Sequence, residues 1–196
     1  NFLRKVEEEF VLEIKGEDVS KGKNYLSLEI SKKLAQNFVE FEERFLKKLT
    51  SRGGILNILE SEGEFEYKLQ VNKKPFTIKG KVDRVDEMNN QLRIIDYKTG
   101  KVSKSDVSLS DFNELLENPN KAKAFQLLVY AYIYLKNNPQ YLDREVIAGN
   151  FSFKNLKEEL LTVSKSINRK KETIIISTSV LNNVEEIITK IIDQIM

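Results

Sequence analysis

Asp83, Asp96 and Lys98 have the residue types and spacing for metal-assisted hydrolysis. They lie in two segments, Gly80-Lys81-Val82-Asp83-Arg84-Val85-Asp86 and Leu92-Arg93-Ile94-Ile95-Asp96-Tyr97-Lys98-Thr99-Gly100, joined through Met88-Asn89-Asn90-Gln91. Both segments read as strands, and Asn-Asn tolerates the positive φ angles of a two-residue hairpin turn. With Asn89-Asn90 as that turn, Asp83 stands directly opposite Asp96. Like charges so placed repel each other, and the cost rises where Ile94 and Ile95 imply burial. A divalent cation between the carboxylates removes the conflict. Lys98, two residues past Asp96, points to the same face of the sheet. The chemistry that fits is hydrolysis of a phosphodiester. Asp83 and Asp96 would hold one or two Mg²⁺ ions, helped by the backbone carbonyl of Tyr97, and the metal would acidify the attacking water. Lys98 would position that water or offset the developing negative charge. The same register sets Lys81 opposite Lys98, so the strands must splay there or Lys81 must snorkel to solvent. An exposed hairpin with ordinary surface charges can carry the same letters, and spacing alone does not choose between the two readings.

Composition narrows the chemistry further. The 196 residues contain neither cysteine nor histidine. Disulfides, zinc fingers, iron–sulfur clusters and Cys/His nucleophiles are thereby excluded. Any acid–base work falls to Asp, Glu, Lys or Tyr, and any metal must be hard and oxygen-ligated: magnesium, manganese or calcium. The balance of 40% apolar and 32% charged residues is that of a globular domain. Net charge is only +2, so the molecule as a whole is no basic clamp, although a local strip remains available. No apolar run reaches the length that spans a bilayer, and the expected location is cytoplasmic. The start at Asn1 fits a piece of a longer polypeptide.

The elements that must position these residues follow from periodicity. Phe2–Ile14 and Tyr25–Leu49 have helical spacing, the second with Leu34, Phe38, Phe41, Phe45 and Leu49 in one stripe. Gly53-Gly54 ends it. Phe65–Val71 alternates as a half-buried strand, Asn72–Pro75 turns, and Phe76–Val85 and Leu92–Tyr97 form the hairpin. A polar loop over 101–120 leads to a strong helix at Lys121–Lys136, then strands at Val146–Phe153 and Thr173–Ser177 and a closing helix at Val184–Ile195. One α/β domain spanning 1–196 is the simplest organisation. The calcium EF-hand and the phosphate-binding P-loop both fail on missing loop residues.

Taken together, the two strand segments resemble the nuclease motif of the RecB/AddB branch of the PD-(D/E)XK superfamily. There the pattern is Gly-x-x-Asp-Arg-[Ile/Val]-Asp followed by an apolar strand ending Asp-Tyr-Lys-[Thr/Ser]-Gly. A downstream helix with Gln-x-x-x-Tyr is matched by Gln126 and Tyr130, one turn apart on a shared face. The resemblance implies a restriction-endonuclease-like fold, a mixed central sheet flanked by helices. It implies Asp83 and Asp96 as metal carboxylates, Lys98 as the catalytic lysine, and Gln126, Tyr130 and Arg84 as residues that line the site or touch DNA. Simple packing of the helix on the sheet is the competing reading of Gln126 and Tyr130. Glu62, just before the first strand, is a further metal candidate, in competition with Glu60, Glu64 and a solvated acidic turn. Lys73, Lys74, Lys79, Lys81, Arg84, Arg93, Lys101 and Lys104 would form a basic strip for the DNA backbone. The cofactor implied is Mg²⁺, with Mn²⁺ able to substitute. The partners implied are DNA and a helicase domain or subunit, with a role in double-strand-break processing. The sequence departs from relatives in lacking the His on an upstream helix and the cluster cysteines. The cluster is absent from many relatives, but the missing His supports an alternative reading, an inactive nuclease-like module that binds DNA or a partner.

Overall fold

The computed structural model describes residues 2–156, 160–167 and 170–196. Two helices come first, α1 (Phe2–Glu13) and the long α2 (Gly22–Thr50), which Gly53 closes at φ +73°. The aromatic stripe of α2 meets the sheet as its spacing demands. Phe38 stands edge-on to Tyr97 with centroids 5.1 Å apart, and Phe41 meets Phe151 at 5.6 Å. The guanidinium of Arg93 lies over the ring of Phe45.

Strands β1 (Leu56–Val71) and β2 (Lys74–Met88) pair antiparallel across Asn72-Lys73. β2 turns into β3 (Gln91–Lys98) across Asn89-Asn90. Both asparagines have positive φ, 52° and 69°, the backbone that a tight hairpin requires and that Asn adopts at low cost. β3 then runs parallel to β5 (Val146–Ser152), which pairs with the short β6 (Leu161–Thr162). The sheet order is β1-β2-β3-β5-β6. A parallel pair needs a long crossover, supplied here by β4 (Ser108–Leu109), α3 (Glu114–Glu117) and α4 (Ala122–Asn137). A smaller sheet joins β4 to β7 (Ser164–Ile167) and β8 (Lys170–Thr173).

Helix α4 packs on the sheet face opposite α2 and is covered in turn by α5 (Thr178–Ile195). Sandwiched this way, Leu127, Leu128, Ala131, Tyr132, Ile133 and Leu135 are wholly buried. A continuous core runs from Leu69 in β1 to Ile188 in α5. This is a mixed central sheet flanked by helices, the restriction-endonuclease-like arrangement.

The structure departs from the periodicity in three places. β1 begins at Leu56, well before Phe65, because it is an edge strand. Its Glu60–Glu64 stretch is polar, as exposed edges are, and so reads as a turn. The strand expected at Thr173–Ser177 lies at Lys170–Thr173, and β6 and β7 are too short to show a period. Helix α5 starts at Thr178, not Val184, with Ser177 accepting from the Val180 amide.

Candidate active site

The site forms where β2 and β3 part company. The hairpin ladder runs from Met88↔Gln91 to Arg84↔Ile95, the register implied by an Asn89-Asn90 turn. Beyond that pair the strands diverge. β2 continues along β1 to Lys74, while β3 continues along β5 to Lys98↔Ser152. The alternation of β2 breaks at the same point: Val82 and Val85 both lie in the core, although residues three apart on a regular strand face opposite ways. Asp83 sits at this break, and its Oδ2 accepts the Tyr97 backbone N–H at 2.7 Å. The awkward Lys81–Lys98 pairing is resolved by the splay, and Lys81 turns to an ion pair with Glu62.

Asp96, Lys98, Gln126 and Tyr130 form a connected chain on the α4 side. Asp96 is 3% exposed. Its carboxylate takes the Lys98 ammonium at 2.8 Å and the Asn150 amide at 2.7 Å. Lys98 Nζ also donates to Gln126 Oε1 at 2.7 Å, and Gln126 Nε2 donates to the Tyr130 hydroxyl at 2.7 Å. Burial pushes the Asp96 carboxyl above the usual carboxylate range; the Lys98 ammonium opposes this, and the nearby Asp83 charge adds to it. Gly80 permits the arrangement, because a Cβ there would come within 3.1 Å of the Tyr130 ring. Tyr130 thus packs against Gly80 and accepts from Gln126, while Gln126 is tied to Lys98.

Other expected residues lie elsewhere. Arg84, expected to touch substrate, points instead to the α2 face and is 6% exposed. There it donates to Glu42 and to the Tyr97 hydroxyl, each at 3.1 Å, and pairs with Asp86 at 2.7 Å. A guanidinium so enclosed cannot meet a phosphate. Arg93 is likewise buried, held in a two-pronged pair with Asp86 at 2.6 and 2.8 Å. Lys79 and Lys81 pair with Glu66 and Glu62 along the β1 edge. The expected basic strip is therefore broken; Lys73 and Lys74 at the β1–β2 turn and Lys101 and Lys104 on the loop that follows β3 are exposed. The Glu62 carboxylate is taken up by Lys81 and does not join Asp83 and Asp96.

Sequence reasoning missed Asn150, which is 1% exposed and partners Asp96 across the parallel β3–β5 pair. A signal existed: an amide inside the otherwise apolar Val146–Phe151 run must find partners or pay for burial. Its Nδ2 serves Asp96, whereas its Oδ1 has no hydrogen-bond partner among the described residues. Glu42 on α2 was also missed, since Glu40, Glu42 and Glu43 on an amphipathic helix each read as surface.

Among the described residues no three Asp or Glu side chains gather into a metal-sized cluster. The donors at hand are the Asp83 and Asp96 carboxylates, and Asn150, bonded to Asp96 through Nδ2, carries a buried Oδ1 with no partner among the described residues. Such an all-oxygen set fits a hard cation such as Mg²⁺ or Mn²⁺ and has nothing to offer a soft one.

The sequence model of the PD-(D/E)XK nuclease superfamily matches residues 2–195. One subunit of the ATP-dependent helicase/deoxyribonuclease of Carboxydothermus hydrogenoformans is 37% identical over 89 residues. That stretch covers 43% of this chain and 7% of the relative, so the chain spans only a small part of that protein's length. The crystal structure of SSO0001 aligns over 96% of this chain and 71% of its own, at 14% identity and a TM-score of 0.33, a loose likeness.

Proposed function

This chain belongs to the PD-(D/E)XK nuclease superfamily, and we propose that it hydrolyses DNA phosphodiester bonds with Mg²⁺ held by Asp83 and Asp96. The observation that carries this reading is the meeting of Asp83, Asp96 and Lys98 at the β2–β3 fork, where no backbone ladder explains two adjacent carboxylates. Asp83, Asp96 and the Tyr97 carbonyl would hold the cation, with Mn²⁺ able to replace Mg²⁺. When bound, it supplies Lewis acidity and an acidified water.

The chain's own groups do the rest. Lys98, fixed between Asp96 and Gln126, holds a proton-rich ammonium where the scissile phosphate gains negative charge. Gln126 and Tyr130 keep that ammonium from swinging back to solvent. The exposed Lys101 and Lys104 would meet the phosphates of the approaching strand. By the name of its relative, the domain would work beside a helicase domain or subunit; a role in double-strand-break processing is what the family resemblance implies. The chemistry of the site is independent of that assignment.

The test is cleavage of labelled single- and double-stranded DNA with Mg²⁺ or Mn²⁺, comparing the chain with Lys98→Ala. Metal-dependent cleavage that drops by about 10² or more in the variant, the scale of losing one transition-state donor, is the expected result. No cleavage by a well-folded wild type would leave a module that binds without cutting.

A further inference from the structure

We infer that Glu42, acting through Arg84 and the Tyr97 hydroxyl, is a positioning residue that sets the opening of the β2–β3 fork and so the separation of Asp83 from Asp96 and Lys98. The inference rests on the nuclease reading above. Its ground is what happens to the backbone at the fork. Up to Arg84↔Ile95 the spacing of β2 and β3 is fixed by ladder hydrogen bonds, and past that pair the ladder stops. Asp83 and Asp96 lie just past it. Something else must hold their spacing.

Two bonds do so, and both use Tyr97. On the α4 side its backbone N–H donates to Asp83 Oδ2 at 2.7 Å. On the α2 side its hydroxyl accepts from Arg84 Nη1 at 3.1 Å. Since Asp83 and Arg84 are consecutive, one residue of β3 is pinned to two neighbouring residues of β2 from opposite faces of the sheet. Arg84 is itself held from two directions, by a hydrogen bond to Glu42 Oε2 at 3.1 Å and by the charge of Asp86, whose Oδ2 lies 2.7 Å from Nε; among the described residues Nε and Nη2 have no hydrogen-bond partner. Asp86 is already bonded at both oxygens to Arg93. Among the described residues, Glu42 is thus the one carboxylate that reaches Arg84 from outside the hairpin, and it ties the fork to α2.

The Tyr97 ring is fixed by the same helix and by β5, through Phe38 at 5.1 Å and Phe151 at 6.2 Å. A ring clamped on both sides transmits the position of its hydroxyl to its backbone. Asp96 and Lys98 flank that backbone in sequence. Loss of Glu42 leaves a buried guanidinium short of a partner, and an uncompensated buried charge drives rearrangement. With Glu42 gone, Asp86 is the carboxylate left beside Arg84, so the guanidinium is drawn toward the hairpin and its bond to Tyr97 is no longer held from α2.

The experiment compares Glu42→Gln with Glu43→Gln, which removes the same charge from an exposed position on the same helix. Three quantities are measured: Mn²⁺ affinity by calorimetry, kcat and KM for DNA cleavage, and melting temperature. Supporting residues behind a metal site typically change affinity or activity by about 10–100-fold. Glu42→Gln should therefore weaken Mn²⁺ binding and lower kcat about 10-fold, with KM within about twofold, while Glu43→Gln matches wild type. Tyr97→Phe, which removes only a hydroxyl, should act in the same direction. Combined with Glu42→Gln it should add little, because both act through Arg84. Glu42→Gln with the Mn²⁺ affinity and kcat of Glu43→Gln overturns the inference, as does full additivity with Tyr97→Phe. A wild type that neither binds Mn²⁺ nor cleaves would instead remove the nuclease reading itself, and this inference with it.

Discussion

Replacing Asn150 with Leu separates what the site needs from what the fold needs. In the native strand the Asn150 amide donates to Asp96 Oδ2 at 2.7 Å, while its Oδ1 is buried with no partner among the described residues. A hydrogen bond to an ionised group is worth about 1.5–3 kcal/mol, and an unsatisfied buried acceptor costs about 1–3 kcal/mol. Leu removes both terms in a side chain of similar reach, so stability should change by no more than about 2 kcal/mol. For a chain of this size that is a melting shift of roughly 4–8 °C at most. The site should fare differently. Asp96 would keep Lys98 and lose the group that fixes its second direction, so Mn²⁺ affinity should fall about 10–100-fold, the usual effect of removing such a support. The Asp96 carboxyl, already raised by burial, would rise further without the amide. A carboxyl with a raised pKa is ionised only above it, so metal binding should be lost from a higher pH as the solution is acidified. Calorimetry with Mn²⁺ at several pH values, alongside thermal melts, reads all three effects. An affinity within about twofold of wild type would refute the claim that Asn150 orients Asp96, and a collapse of the fold would refute the cancellation of terms.

Further outcomes follow from other contacts. Gly80→Ala sets a Cβ within 3.1 Å of the Tyr130 ring and 3.2 Å of Ile133; it should cost about 1–3 kcal/mol, read by denaturant titration. Asp86→Ala strips a wholly buried partner from both Arg84 and Arg93. Breaking a buried pair from one side costs about 3–5 kcal/mol, so the melting temperature should drop by roughly 10 °C or more. Asp106, bonded to Lys123 and Ser103, is held down at about 2. Because the folded pKa is the lower one, its contribution is present above the ordinary Asp range near 3.8 and is lost as pH falls towards 2. Asp106→Asn should therefore be less stable than wild type by on the order of 1–2 kcal/mol at about pH 7, with the gap closing in acid; melts across pH check it.

The hairpin was legible because its information is local. Asn89-Asn90 specifies a tight turn, and the turn specifies the register as far as Arg84↔Ile95; Asp83 and Asp96, expected directly opposite each other, lie just past the last ladder pair. The α2 stripe and the helix carrying Gln126 and Tyr130 were legible for the same reason, through periodicity. What escaped depends on the third dimension. The fork appears only because β3 follows β5 while β2 follows β1, and no spacing within the hairpin encodes that choice. Arg84 has the letters of a phosphate contact, yet strand alternation sends it behind the sheet to Glu42, a residue far away in sequence. Asn150 reaches Asp96 through a parallel pairing across a long crossover, which sequence patterns do not reveal. The polar β1 edge and the short strands β6 and β7 carry too little hydrophobic period to be read at all.

Everything proposed for the fork requires that Asp83 and Asp96 share a divalent cation. Crystals grown with Mn²⁺ and measured near the manganese absorption edge would show whether they do. The expected result is an anomalous peak bounded by both carboxylates, absent from Asp83→Asn crystals grown the same way. Strong manganese peaks elsewhere on the chain with none between Asp83 and Asp96 would contradict it.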